Sequence, residues 1–145
     1  MSRIDFYIIE DGNQHARLRL VCRLIEKAYK AKHRIYIHTS NQSEAHHLDE
    51  LLWTYRDDSF LPHNLYGDGP NPAPPIQIGF DAIPEKQNDI LINLSTTIPD
   101  FYPQFARILE VVSSETETQT ISREHYKHYR SQGHDINTHK LSSVE

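Results

Sequence analysis

The apolar positions of this chain change their spacing several times, and each change marks an element. Asp5-Phe6-Tyr7-Ile8-Ile9 is a short run rich in aromatic and β-branched side chains, closed by Glu10-Asp11-Gly12. Its length and the turn after it suit a buried first strand. From Gln14 to Ala31 the period lengthens: Leu18, Val21, Cys22, Ile25, Ala28 and Tyr29 recur at helical spacing, with Arg19, Arg23, Glu26, Lys27 and Lys30 between them. That pattern predicts an amphipathic helix with its apolar stripe on a sheet. Arg34-Ile35-Tyr36-Ile37-His38 then reads as a second strand. Asn41 and Glu44 stand in the N-cap and third-position relation of a capping box. A second helix therefore starts there, buries Ala45, Leu48, Leu51 and Leu52, and ends near Trp53.

The middle of the chain is broken by residues 67–75, Gly-Asp-Gly-Pro-Asn-Pro-Ala-Pro-Pro, which read as a surface loop. Ile76-Gln77-Ile78 and Asp89-Ile90-Leu91-Ile92-Asn93-Leu94 are expected strands, separated by a polar connector around Pro84 to Asn88. Phe101 to Ile108 is a short helical candidate leading into a strand at Leu109-Glu110-Val111-Val112. A last helix is expected from about Thr116 to Gln132, stopped by Gly133 at the C′ position. Two strand-helix units joined by short turns favour a parallel sheet with right-handed crossovers. The expected architecture is one three-layer α/β domain over residues 1–133 with a mostly parallel sheet, followed by a polar, frayed tail over 134–145.

Composition narrows the functional class. A chain of 145 residues fits one domain, since domains run to roughly 100–200 residues, and it needs no disulfide or metal to fold. The single Cys22 excludes an intramolecular disulfide and suits a reducing compartment. No apolar run precedes a cleavage site near Met1, and no stretch approaches the about 18 apolar residues of a membrane span. The expectation is a cytoplasmic protein. The net charge of −5 argues against direct, sequence-independent nucleic-acid binding but leaves room for a local basic patch.

An open parallel sheet invites a nucleotide at the carboxyl ends of its strands, where glycines let backbone amides approach phosphate. Here strand one is followed by Glu10-Asp11-Gly12-Asn13-Gln14, one glycine beside two carboxylates, and none of the five glycines falls into a phosphate-binding motif. The sheet is thus expected to be Rossmann-like without a phosphate-binding loop. His125 and His128 sit three apart on the last helix, yet no further ligand motif completes a zinc site, and both read as solvent-facing. Asp57-Asp58 and Asp49-Glu50 read as surface charges, and Cys22 as core. No catalytic residue, metal or cofactor is expected. The alternative from a different class is a small nucleotide-dependent hydrolase on the same fold.

Two constellations carry positive content. The segment from Trp53 to Leu65 packs the only Trp with Tyr55, Phe60 and Pro62 into the exit from helix two. Aromatics in a loop either cap the core or form a docking surface. On the last helix Arg123, Tyr126, Lys127 and Arg130 follow i, i+3, i+4, i+7. They form either a solvated face or a clamp for an acidic peptide with an apolar anchor; short single-stranded nucleic acid is a third occupant.

Those segments also carry a resemblance. Leu48-Asp49-Glu50-x-Leu52-Trp53, Ser59-Phe60-x-Pro62-His63-Asn64-Leu65, Gly67-x-Gly69-Pro70, Asp89-Ile90-Leu91-Ile92-x-Leu94 and Arg123-Glu124-x-Tyr126-Lys127-x-Tyr129-Arg130 occur in order across nearly the whole chain. Together they resemble the chi subunits of bacterial DNA polymerase III, accessory parts of its clamp loader. The resemblance implies a non-catalytic subunit that pairs with the psi subunit and grips the acidic C-terminal tail of single-stranded-DNA-binding protein. It implies tail binding by Arg123 and Tyr126, to which Lys127 and Arg130 are added on physical grounds. At Gln119 some members of the family carry a basic residue, so an amide there removes a charge from the grip. Trp53, Phe60, Pro62 and His63 match the region of the psi interface, and a repair helicase is a further candidate for that surface.

Overall fold

The computed structural model describes residues 2–10, 13–55, 60–67, 74–84 and 89–141. In chain order the elements are β1 (Arg3–Ile9), α1 (Gln14–Lys30), β2 (Ile35–His38), α2 (Gln42–Thr54), β3 (His63–Leu65), β4 (Ile76–Gly79), β5 (Ile90–Asn93), a 3-10 turn at Tyr102–Gln104, β6 (Arg107–Val112), α3 (Thr116–Ser131) and β7 (Asp135–Leu141). The strands form one sheet in the order β3-β4-β2-β5-β6-β1-β7, and every pairing is parallel. β2, β4 and β5 are buried along their whole length, as expected of parallel strands covered on both faces.

Both long helices of the first half start as the sequence prescribes. Asn13 accepts the Ala16 amide at 3.1 Å, and Asn41 accepts the Glu44 amide at 2.9 Å. Glu44 reaches back to the amide of Ser40 at 3.0 Å, one residue before the cap. α1 and α2 cover one face: Leu20, Val21, Cys22, Ile25, Ala45, Leu48 and Leu52 share a cluster with Ile9, Ile37, Ile78, Ile92 and Leu109. The 3-10 turn and α3 cover the other, where Tyr102, Phe105 and Tyr129 pack on Ile4, Phe6, Tyr36, Leu91 and Ile108. The expected three-layer α/β architecture is therefore present.

Three expectations are corrected. The helix over 101–108 is only the short turn at Tyr102–Gln104, with Pro103 inside it. Proline fixes the turn but donates no amide to extend it, and Arg107 and Ile108 are already in register with Arg3 and Ile4 of β1. Secondly, His63–Leu65 is a three-residue edge strand, too short to show a period. Thirdly, the stretch read as a frayed tail contributes β7, paired with β1 from Arg3↔Asp135 to Ile9↔Leu141. Its polar sequence, Asp-Ile-Asn-Thr-His-Lys-Leu, fits a strand at the rim of a sheet. The domain thus extends to Leu141; the rest of the expected tail, 142–145, and most of the 67–75 loop lie outside the described residues.

Candidate partner-binding surfaces

α3 takes its orientation from two buried side chains one turn apart, His125 and Tyr129. Their sheet-side partner is Glu110 of β6, itself 5% exposed. One carboxylate oxygen faces His125 Nδ1 at 3.0 Å; the other accepts the Tyr129 hydroxyl at 2.7 Å and Asn93 Nδ2 at 2.9 Å. His125 Nε2 lies 3.0 Å from the Thr96 carbonyl oxygen. His125 is thus not solvent-facing as expected: it sits on the inward stripe of the helix, where polar partners replace aliphatic contacts. His128 is exposed on the outside, so the two histidines do not share an open face. Burial works against charge on His125, but Glu110 and the Thr96 carbonyl prevail over it and over Arg17, raising its pKa above the ordinary imidazole value. Burial, reinforced by Glu110, pushes the Tyr129 hydroxyl up strongly.

With that stripe turned inward, Arg123, Tyr126, Lys127 and Arg130 are all exposed, and Gln119 is half-buried one turn earlier. Tyr126 stays 38% exposed while its ring backs onto Phe6 of β1, centroids 5.6 Å apart. The ring of Tyr126 is thus braced from behind, and Arg123, Lys127 and Arg130 are exposed on the same helix. Arg123, Lys127 and Arg130 form no ion pair with any described residue, and Gln119 supplies an amide where charge is absent. Gly133, at φ 79°, ends the helix as expected; its amide returns to the Arg130 carbonyl at 3.0 Å.

The second surface is on the opposite layer, at the end of α2. Trp53 and Phe60 are 53% and 68% exposed, with ring centroids 5.8 Å apart. His63 lies beneath, 4.4 Å from Trp53 between centroids, and presents little open surface of its own at 6% exposure. Its Nδ1 is 2.6 Å from the Leu61 carbonyl oxygen, and its Nε2 is 3.1 Å from the Asp49 carbonyl oxygen and 3.3 Å from the Asp49 carboxylate. Pro62 is half-buried. The segment therefore divides its labour: Leu61 and His63 cap the core, while Trp53 and Phe60 remain outside. Residues 56–59 lie outside the described residues.

A cavity of about 400 Å³ opens where the strands end, lined by Arg17, Ser40, Glu44, Ser95, Thr96, Glu115 and Glu117 among others. The Arg17 guanidinium is engaged by the carbonyls of Val111 and Leu94, at 2.8 and 3.5 Å, and three carboxylates remain around the opening. That balance opposes a phosphate. Sequence reasoning missed the Glu110 network, although Glu110 inside an otherwise apolar strand was a visible signal. Among the described residues no group of three metal-ligating side chains converges, and no helix is long and apolar enough to cross a membrane.

Fold and surfaces together define a three-layer α/β protein with exposed aromatic and cationic patches on opposite layers. The chain belongs to the family described as DNA polymerase III chi subunit, HolC, whose family model matches residues 1–137. It is 34% identical over 144 residues to the DNA polymerase III subunit chi of Pseudomonas aeruginosa, covering 99% of this chain and 100% of the relative. Identity to the subunit of the same name from Escherichia coli K12 is 34% over 146 residues, covering 95% and 97%. For the Haemophilus influenzae subunit it is 31% over 137 residues, covering 94% and 95%.

Proposed function

We propose that the chain is a non-catalytic, cytoplasmic accessory subunit of the replicative polymerase. It joins the clamp loader, through psi, to the acidic tail of single-stranded-DNA-binding protein. The supporting observation is the outward face of α3, where Arg123 and Lys127 have no acidic partner among the described residues and share the exposed side of the helix with Tyr126. Forked guanidinium donors suit carboxylates, and the Tyr126 ring offers an apolar contact to a phenylalanine at the end of such a tail. Trp53 and Phe60 are the residues assigned to psi, with Pro62 beside them and His63 as their support; a repair helicase would compete for the same rings. Placing the two surfaces on opposite layers lets both partners bind together. Many tails on one coated strand raise effective concentration, so a modest single-tail affinity holds the complex in place.

The test is titration of an acidic peptide ending in phenylalanine. Arg123→Ala should weaken binding about tenfold or more, since a hydrogen bond to a charged group contributes about 1.5–3 kcal/mol. A peptide lacking its last residue should lose as much. Equal binding in all three cases removes the site, and tight binding of bare single-stranded DNA replaces the bridge with direct contact.

A further inference from the structure

His125 is enclosed by acceptors. Nδ1 is 3.0 Å from a Glu110 carboxylate oxygen and Nε2 is 3.0 Å from the Thr96 carbonyl oxygen. A neutral imidazole carries hydrogen on one nitrogen only, so one of these contacts would set two lone pairs against each other; a ring with hydrogen on both nitrogens satisfies both. A carboxylate suits the remaining contacts of Glu110, whose second oxygen accepts from Tyr129 at 2.7 Å and Asn93 at 2.9 Å. We propose that His125 is a buried imidazolium and that the Glu110–His125 pair positions the tail-binding face of α3. The positioning role rests on the reading of that face given above.

The geometry supplies the coupling. His125 immediately precedes Tyr126, and Tyr129 follows three residues later, so two bonds to one carboxylate fix the rotation of α3 about its axis. The charged group facing the ring from β6 is Glu110, and Arg17 of α1 opposes its charge from a distance. Asn93 of β5 and Thr96 after it contribute neutral contacts. On α3 itself the neighbours are Tyr129, inside, and Glu124 and His128, outside. With the ring neutral, either the Glu110 or the Thr96 contact is lost; where it is the Glu110 contact, Tyr129 alone holds the rotation of the helix, and the face carrying Arg123, Tyr126 and Lys127 loosens.

The experiment uses the full chain labelled with ¹⁵N. Long-range proton–nitrogen spectra between about pH 6 and 8 report each imidazole nitrogen directly. Both nitrogens of His125 should carry hydrogen near neutral pH. In parallel, wild type, His125→Gln and His125→Arg are titrated with the acidic peptide ending in phenylalanine. His125→Gln should bind about fivefold more weakly, within the range that packed neighbours impose on a site. His125→Arg keeps a permanent cation near Glu110 and should recover most of the loss, with circular dichroism confirming that all three are folded. A neutral His125 ring near neutral pH overturns the proposal, as does unchanged binding by His125→Gln. Wild type that ignores the peptide overturns the tail reading and the positioning role together; the nitrogen shifts, which report the ring alone, distinguish that failure from a neutral imidazole.

Discussion

Gly79 ends β4 opposite His38 of β2, and its lack of a side chain is a packing requirement. A Cβ built there would overlap the Tyr36 hydroxyl oxygen and stand 2.7 Å from Cζ and 3.2 Å from Cε1. The Tyr36 ring cannot swing aside easily: it is fully buried, with Tyr66, Phe101 and Phe105 at centroid distances of 5.6, 5.8 and 6.4 Å. Gly79→Ala is therefore an overpacking change, expected to cost about 1–3 kcal/mol. For a chain of this size each kcal/mol lowers Tm by roughly 3 °C. Tyr36→Phe supplies the control. The hydroxyl is buried without a hydrogen-bond partner among the described residues, so its removal alone should be neutral or slightly stabilising. In the double variant the oxygen is gone but the ring carbon remains too close, so rescue should be partial, about half of the single loss. Denaturant melts of the four proteins, read as a double-mutant cycle, measure the coupling. A Gly79→Ala protein as stable as wild type, or losses that simply add, would refute this account of the contact.

Three further outcomes are expected. Trp53→Ala should change stability by less than about 1.5 kcal/mol, because half of the ring is outside, yet weaken the proposed psi contact by about tenfold or more in a pull-down titration, as loss of an interface anchor does. Burial alone would raise the Asp5 carboxyl, but His139, Arg107 and Arg3 override it and hold its pKa below the ordinary value of 3.8. Its stabilising contribution is present above that value and lost as pH falls through the lower folded value. Asp5→Asn should accordingly cost about 1–3 kcal/mol at neutral pH, reduced because its partners are part-exposed, and flatten the acid limb of a stability–pH curve. Cys22 is fully buried and its thiol is pushed up by burial to about 12, so the native chain should resist thiol-directed reagents until it is unfolded.

Much of this was legible because the chain states it in side chains close in sequence. Asn41 and Gly133 announce helix ends through local bonds, and the apolar runs of β2 and β5 announce buried strands. The spacing of Arg123, Tyr126, Lys127 and Arg130 along α3 likewise predicts an open face for them, and all four are exposed. What escaped depends on partners far along the chain. β7 has the composition of a tail and becomes a strand only because β1 offers it an edge 132 residues away, from Arg3 to Asp135. His125 reads as a surface residue until Glu110, fifteen positions earlier, is seen beneath it. The depth of His63 likewise depends on Leu61 and on a turn of α2.

The helix with the exposed cations is tied to the sheet at both ends, since β6 leads into it and β7 leads out, and these two strands flank β1 on either side. A pull on that helix is therefore shared between two strands that must slide along β1, each breaking a row of parallel hydrogen bonds at once, instead of peeling one bond after another. The cationic face is mounted where tension is met by shear.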